Sequence, residues 1–164
     1  MARDLIELAE HLQEACLARG LTVAVAESCT GGLICAAITE ISGSSGYFLG
    51  GVVSYSNDAK EALLDVPREM LRERGAVSGE VAAAMATGAR ARFGADLAVS
   101  VTGIAGPDGG SPEKPVGLVH LGLARGMDVV LAQEQFAGDR AAIRQAAALR
   151  GLGLLHAAAN QGAS

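Results

Sequence analysis

The spacing of apolar and polar positions divides the chain into ten predicted helices and strands and one helical turn. In the first segment, apolar residues recur at the spacing of one helix face, at Leu5, Leu8, Leu12 and Cys16. Gly20 ends this helix, and the apolar, β-branched run at 22–26 is typical of a buried strand. The same patterns predict, in chain order, a helix up to Ile41, a strand at 47–54, a helix at 57–64, a helical turn from Pro67, a helix at 78–93, strands at 96–101, 117–124 and 128–136, and a helix at 140–159.

The order of these elements predicts the fold. Helices and strands alternate along most of the chain, which favours the α/β class and a three-layer α/β/α sandwich around a mixed, mostly parallel sheet. The last two strands are separated by only three residues, 125–127, so they form a hairpin with antiparallel pairing. Because no linker, repeat or charge block divides the chain, we expect a single domain over residues 1–164.

Composition excludes several classes of protein. Half of the residues are hydrophobic and the net charge is only −5, which argues against disorder. Three cysteines without a CxxC pair, and no cysteine–histidine cluster, indicate neither a disulfide framework nor a structural metal. The acidic pI of about 5.1 and the lack of a basic cluster argue against nucleic-acid binding. Without an apolar run of membrane-spanning length or a signal-peptide pattern, we expect a cytoplasmic protein with no membrane partner.

Two glycine-containing segments, at 27–32 and 102–110, are the first candidates for chemistry. Both follow predicted strands, at the edge where open α/β sheets bind ligands. The first places hydroxyls and glycines before a helix, which suits an anion or an oxyanion; in the plainer alternative Thr30 caps that helix and the glycines turn the chain. It matches neither the phosphate-binding P-loop nor the GxSxG nucleophile motif. The second has four glycines in nine residues, which allows the backbone to approach a ligand closely.

Single side chains give further candidates, each with a structural alternative. Lys60 is one of only two lysines, and a desolvated lysine can act as a general base; the alternative is a solvated helix lysine. Arg140 opens the last helix, where the helix dipole disfavours a cation, so it either binds phosphate or forms an ion pair with a carboxylate. Cys29 is interpreted as a buried thiol and His120 as a residue of the sheet.

Six blocks, in this order along the chain, resemble the CinA C-terminal domain family: AESCTGG at 26–32, YSNxxK at 55–60, GAVS at 75–78, GIAGPDGGS at 103–111, KPVG at 114–117 and GDR at 138–140. The resemblance covers residues from about 5 to 158, the expected core, and implies a three-layer α/β/α fold. Active members of the family are nicotinamide mononucleotide deamidases. Because the chain begins at Met1 with the first helix, it resembles the stand-alone deamidases, which lack the N-terminal domain of full-length CinA proteins.

The resemblance also implies roles for particular residues. Ser28 would be the nucleophile and Lys60 the base that accepts its proton, while Thr102 and Tyr55 would position them or the substrate. Arg140 would hold the 5′-phosphate of the mononucleotide. The backbone of the two glycine segments would bind the substrate and the developing oxyanion, at Thr30, Gly31, Gly32, Gly103, Ile104, Ala105 and Gly106.

The expected reaction converts nicotinamide mononucleotide to nicotinic acid mononucleotide and ammonia, in pyridine nucleotide recycling, with no cofactor and no metal. Two alternatives remain at this point: an amidase for another small amide, and a non-catalytic nucleotide-binding protein of the competence or damage-inducible kind. The Ala-rich helices at 78–93 and 140–159 offer surfaces for a second copy, and we expect a homodimer.

Overall fold

The computed structural model describes residues 1–161, so the last three residues of the expected domain lie outside it. Within the described residues one sheet is formed by β1 (Val23–Glu27), β2 (Phe48–Val53), β3 (Leu97–Gly103), β4 (Leu118–Arg125) and β5 (Asp128–Gln135). The strands lie in the order β2-β1-β3-β4-β5. β1 pairs in parallel with β2 and β3, whereas β4 runs antiparallel to both of its neighbours. The predicted mixed sheet, with most strands pointing the same way, is confirmed.

Helices cover both faces of this sheet, as the element order predicts. They are α1 (Arg3–Arg19), α2 (Leu33–Glu40), α3 (Asn57–Leu64), α4 (Arg68–Arg74), α5 (Gly79–Phe93) and α6 (Arg140–Asn160). The central strand β1 shows why two cores form: Val23 and Val25 join a core with α1, α2 and α6, while Ala24 and Ala26 join a second core with α3, α4 and α5. Since successive side chains of a strand point to opposite faces, β1 contributes to both layers.

Small residues bring α5 close to its neighbours. A Cβ atom added at Gly122 of β4 would lie 2.7 Å from the carbonyl oxygen of Ala82 on α5. A Cβ added at Gly88 of α5 would overlap the carbonyl group of Leu64 at the end of α3. Glycine is therefore required at both positions by the packing of α5 rather than by backbone conformation.

The structure differs from the predicted elements in three local features. β3 extends to Gly103, two residues beyond the prediction, because the strand continues its pairing with β4, and Thr102 therefore lies in the sheet. The β4–β5 turn has two residues rather than three, since Arg125 pairs with Asp128. A short 3₁₀ helix, Ser44–Gly46, forms within the predicted loop before β2.

None of the helices within residues 1–161 is both long enough and apolar enough to cross a membrane.

Candidate active site

Buried polar side chains gather where the three parallel strands end. Ser28 follows β1, Ser54 follows β2, and Thr102 lies near the end of β3; each is no more than 8% exposed. The parallel register places Glu27 opposite Val53, and the N–H of Ser54 donates to the carbonyl oxygen of Glu27 at 2.8 Å. A cavity of about 190 Å³ lies here, lined by Ser28, Cys29, Tyr55, Lys60, Ala76, Val77, Thr102, Gly103, Ala105 and Arg140.

Ser28 and Lys60, predicted to act together, are in direct contact. Lys60 Nζ lies 3.0 Å from Ser28 Oγ and 2.7 Å from the carbonyl oxygen of Ser54, with the carbonyl oxygen of Tyr55 at 3.5 Å. α3 carries the lysine to this point, and its first turn is capped by the Ser56 hydroxyl, which accepts from the N–H of Ala59 at 3.0 Å. A neutral amine can donate to the two carbonyl oxygens and still offer its lone pair to the serine hydroxyl.

Burial changes the protonation of Lys60. The side chain is completely buried, and this desolvation lowers the pKa of the amine from 10.5 to about 8. Among residues 1–161, no carboxylate lies within 4.0 Å of the ammonium group. About a tenth of the Lys60 side chains are therefore neutral at pH 7 and about half at pH 8, and the neutral form is the one that a general base requires. The alternative of a solvated helix lysine is wrong.

The turn after β1 is held by hydrogen bonds within the protein. The carboxylate of Glu27 accepts from the backbone N–H groups of Gly32 at 3.0 Å, Ile34 at 3.2 Å and Cys35 at 2.9 Å. The N–H of Gly31 donates to the carbonyl oxygen of Ser28 at 3.0 Å. Gly31 and Gly32, predicted to bind the substrate through their amides, thus direct those amides into the protein, and neither residue lines the cavity.

Thr30 also has a different place from the one expected. The side chain of Thr30 does not cap α2, so the alternative in which Thr30 acts as the helix cap is wrong. Its hydroxyl is completely buried and has no hydrogen-bond partner among the described residues. Its carbonyl oxygen, with that of Cys29, accepts from the guanidinium of Arg144 at 2.9 and 3.2 Å respectively.

The second glycine segment contributes only part of its length to the cavity. Gly103 and Ala105 line it, whereas Ile104 exchanges backbone hydrogen bonds with Leu118, the first residue of β4, and with the preceding Gly117. Gly106 supplies a carbonyl oxygen to Arg140. The hydroxyl of Thr102 donates to the carbonyl oxygen of Ala76 at 2.8 Å, which ties β3 to the segment before α5 and leaves the threonine at the cavity wall.

Arg140 lines the cavity without a carboxylate partner. Its guanidinium donates to the carbonyl oxygen of Gly106 at 2.8 Å and to the hydroxyl of Tyr55 at 3.0 Å. The neighbouring Asp139 caps α6 by accepting from the N–H of Ala142 at 2.9 Å. Within residues 1–161 Arg140 forms no ion pair, so the alternative of an ion pair is wrong, and its charge remains available to an anionic ligand.

Cys29 and His120 keep the structural roles expected of them. Burial raises the pKa of the Cys29 thiol to about 11, with Glu27 adding to the effect, so the thiol stays protonated and is a poor nucleophile. His120 lies on β4 opposite Thr102, and burial lowers its pKa. It lines a larger depression of about 600 Å³ with Glu80 and Leu131, where no nucleophile lies beside a base.

Sequence reasoning missed several contributors to the site. Glu27 and Arg144 hold the turn that contains Ser28, but the sequence analysis assigned neither of them a function. Ser54 contacts Lys60 through its backbone carbonyl oxygen, which the residue type does not indicate. Arg144 is detectable in hindsight because it follows Arg140 by four residues and so lies on the same face of α6. Glu27 is an acid at the end of an otherwise apolar strand. Within residues 1–161, no group of three or more His, Cys, Asp or Glu side chains is arranged to hold a metal ion.

Fold and site together define an α/β domain that carries a buried serine–lysine pair at the carboxyl edge of its parallel strands. The model of the CinA C-terminal domain family matches residues 5–159. A CinA-like protein of Geobacter sulfurreducens is 58% identical over 134 residues, which are 82% of this chain and 32% of that protein. A putative competence-damage inducible protein of Moorella thermoacetica is 58% identical over 77% of this chain and 31% of its own length. The chain thus spans about a third of the length of these curated relatives.

Solved structures of proteins of similar length also show the similarity to CinA proteins. The competence/damage inducible protein CihA from Agrobacterium tumefaciens superposes with a TM-score of 0.94 at 47% identity, with 98% of each chain covered. A CinA superfamily protein from Escherichia coli superposes with a TM-score of 0.90 at 33% identity, covering 96% of this chain and 93% of its own. The chain belongs to the CinA C-terminal domain family.

Proposed function

We propose that this protein is an amidohydrolase that converts nicotinamide mononucleotide to nicotinic acid mononucleotide and ammonia. The observation that carries the proposal is the 3.0 Å contact between Ser28 Oγ and the Nζ of the completely buried Lys60. A serine hydroxyl is a weak nucleophile unless a neighbouring base accepts its proton, and a lysine with a lowered pKa provides that base. We choose nicotinamide mononucleotide as the substrate because the sequence blocks resemble those of the nicotinamide mononucleotide deamidases.

In the first half of the proposed reaction, neutral Lys60 accepts the proton of the Ser28 hydroxyl while Ser28 Oγ attacks the carboxamide carbon. A tetrahedral intermediate with a negatively charged oxygen results. The ammonium of Lys60 then donates a proton to the amide nitrogen, the carbon–nitrogen bond breaks, and ammonia leaves. The products of this half are an ester of Ser28 and a neutral Lys60.

In the second half, Lys60 accepts a proton from a water molecule, and the resulting hydroxide attacks the ester carbon. The carbon–oxygen bond to Ser28 breaks, and Lys60 returns the proton to the serine oxygen. Nicotinic acid mononucleotide is released and both side chains regain their starting protonation.

The charges around the cavity support an anionic substrate. Arg140, which lines it, is cationic at every relevant pH, and the described lining includes no carboxylate. A guanidinium with no ion-pair partner can form two parallel hydrogen bonds with a phosphate group. We therefore assign the 5′-phosphate of the mononucleotide to Arg140. Tyr55, whose hydroxyl accepts from Arg140, would keep the guanidinium directed along the cavity rim.

The test is ammonia release from nicotinamide mononucleotide by the purified protein and by the variants Ser28→Ala and Lys60→Ala. We expect release by the wild type and a loss of at least about a thousandfold in each variant, because each removes half of the proton-transfer pair. Circular dichroism spectra and melting temperatures serve as the folding control. Full turnover in either variant would contradict the assignment of the pair.

The same assay decides between enzyme and binding protein. A wild type that binds the mononucleotide, loses that affinity on Arg140→Ala and releases no ammonia would instead be a non-catalytic nucleotide-binding protein. Release from another small amide, but not from the mononucleotide, would retain the mechanism and replace the substrate.

A further inference from the structure

Glu27 is a completely buried carboxylate that lies next to Ser28 but does not line the cavity. Its two oxygens accept three backbone N–H groups: one takes those of Gly32 and Ile34, and the other takes that of Cys35. These are the amides at the start of α2, which otherwise has no side-chain cap, since its N-cap residue is Gly32. A carboxylate at this end of a helix is also favoured by the helix dipole.

This arrangement encloses the serine. The hydrogen bond from the Gly32 N–H to the Glu27 side chain closes a ring of backbone around residues 28–31, and the Gly31 N–H closes a smaller one onto the Ser28 carbonyl oxygen. The Ser28 N–H is in turn bound to the carbonyl oxygen of Val101 on β3 at 3.0 Å. Ser28 is thus fixed on one side by the sheet and on the other by the start of α2. Among residues 1–161, Glu27 is the only side chain that accepts from the backbone N–H groups at that start.

A second consequence concerns the anion. The amides at the start of a helix are a ready binding site for phosphate or for an oxyanion. Here the carboxylate of Glu27 occupies the amides of Gly32, Ile34 and Cys35 and adds a negative charge. These three amides are therefore not free to bind a phosphate or an oxyanion, and the carboxylate serves the turn and not a ligand.

We propose that Glu27 is a positioning residue of the reaction: by binding the first amides of α2 it holds Ser28 Oγ in line with Lys60 Nζ. The inference rests on the proposed function of Ser28 as a nucleophile. A displacement of about 1 Å in a reacting group can lower a rate by about a hundredfold, so loosening the turn is expected to affect the chemical step. Binding of the phosphate by Arg140, which lies on α6, is expected to be unaffected.

The test variant is Glu27→Gln. The amide has the size of the carboxylate but only one acceptor oxygen, so at least one backbone N–H of α2 faces an NH₂ group instead of an acceptor. The matched control is Ile38→Ala, which removes a completely buried side chain at the far end of the same helix and leaves the Glu27 bonds in place. Melting temperatures measured for both variants show how much stability each change removes.

Two rates are measured. One is ammonia release from nicotinamide mononucleotide, with kcat and KM determined separately; the other is the labelling of Ser28 by a fluorophosphonate reagent, followed by intact mass. For Glu27→Gln we expect both kcat and the labelling rate to fall about ten- to a hundredfold, with KM within about threefold of the wild type. For Ile38→Ala we expect both rates to stay within about twofold per folded molecule at the assay temperature.

A Glu27→Gln variant with the kcat and labelling rate of the wild type would overturn the proposal. So would a Glu27→Gln variant that melts at the same temperature as Ile38→Ala and loses no more kcat and labelling rate than Ile38→Ala does. So would a change confined to KM. If Glu27→Gln does not fold, Glu27→Asp takes its place: it keeps a charged acceptor for α2 but shortens the side chain by one methylene, and the same fall in kcat is expected. A folded Glu27→Asp with wild-type kcat overturns the proposal.

The labelling experiment separates this inference from the proposed function. A wild type that is labelled at Ser28 but releases no ammonia overturns the substrate assignment, while the Glu27 comparison is still decided by labelling. A wild type that is neither labelled nor active overturns both.

Discussion

The protonation of Lys60 sets the expected dependence of activity on pH. With a pKa of about 8, the neutral fraction of Lys60 is about a tenth at pH 7, about half at pH 8 and about nine-tenths at pH 9. Because only the neutral amine can accept the Ser28 proton, kcat/KM is expected to rise about tenfold from pH 6 to pH 7 and to level off above about pH 9. A lysine in water, at pKa 10.5, would still be mostly protonated at pH 9.

The same shift has a consequence for stability. Burial lowers the pKa of Lys60 from 10.5 in the unfolded chain to about 8 in the folded one, so between these values the unfolded state binds more protons and stability rises with pH. Below about pH 8 both states are protonated and the full cost of burying the charge is present. For the completely buried side chain, a shift of this size corresponds to at most about 3 kcal/mol.

Two variants and two assays test this. Lys60→Arg keeps a cation but cannot lose its proton, so we expect its ammonia release to fall at least about a thousandfold at every pH. Lys60→Met removes the titration altogether. Chemical denaturation of wild type and Lys60→Met at pH 7.5 and pH 10.5 measures the free energy of unfolding, and the difference between the two proteins is expected to move by up to about 3 kcal/mol in favour of the wild type at the higher pH.

Taking the difference between the two proteins removes the effects of the thiols and of Tyr47. Burial raises the pKa values of these groups, so they titrate at high pH in both proteins. A pH–rate profile that is flat between pH 6 and pH 9, or an active Lys60→Arg variant, would refute the role of Lys60 as base. A stability difference that does not change with pH would refute the lowered pKa itself.

The remaining predictions concern the phosphate and metal ions. Arg140→Ala is expected to raise KM for nicotinamide mononucleotide by about ten- to a hundredfold, as the loss of a charged hydrogen-bonding partner would, and to leave turnover of the riboside without phosphate within about threefold; equal effects on both substrates would contradict the assignment. Tyr55→Phe, which removes only the hydroxyl that accepts from Arg140, serves as its milder control. Treatment with a chelator followed by buffer exchange is expected to leave ammonia release unchanged, because Ser28 and Lys60 supply both nucleophile and base; strong inhibition reversed by added metal would contradict this.

Most of the fold was predictable because the local patterns agree with one another. The periodicity of α1, the apolar run of β1 and the caps at Ser78 and Gly20 all act within a few residues of each other along the chain. The end of β3 was misplaced since its last residues are held by cross-strand pairing with β4, which no local pattern reports. The predicted hairpin turn was one residue too long for the same reason, because Arg125 pairs across the strands with Asp128.

The candidate site was predicted as a set of residues but not as an arrangement. Ser28, Lys60, Thr102, Tyr55 and Arg140 do meet at one cavity. Only part of the two glycine segments lines the cavity, because the amides of Gly31, Gly32 and Ile104 donate to other groups of the protein. The role of Glu27 at α2 depends on a turn that brings residues five to eight positions apart into contact. A sequence pattern shows that an acid is present there but not which donors it reaches.

The sequence by itself determined the class of the fold, the positions of the helices and strands, and the blocks that carry the serine, the lysine and the arginine. Only the tertiary structure decided that Ser28 and Lys60 lie 3.0 Å apart. The parallel pairing of β1 with β2 places the start of α3 beside the turn after β1 and so brings together two residues 32 positions apart. Only the tertiary structure also buries Lys60 completely, and desolvation is what lowers its pKa. The type of each residue is given by the sequence at that position, whereas the distance between Ser28 and Lys60 and the burial of Lys60 depend on how segments far apart along the chain pack together.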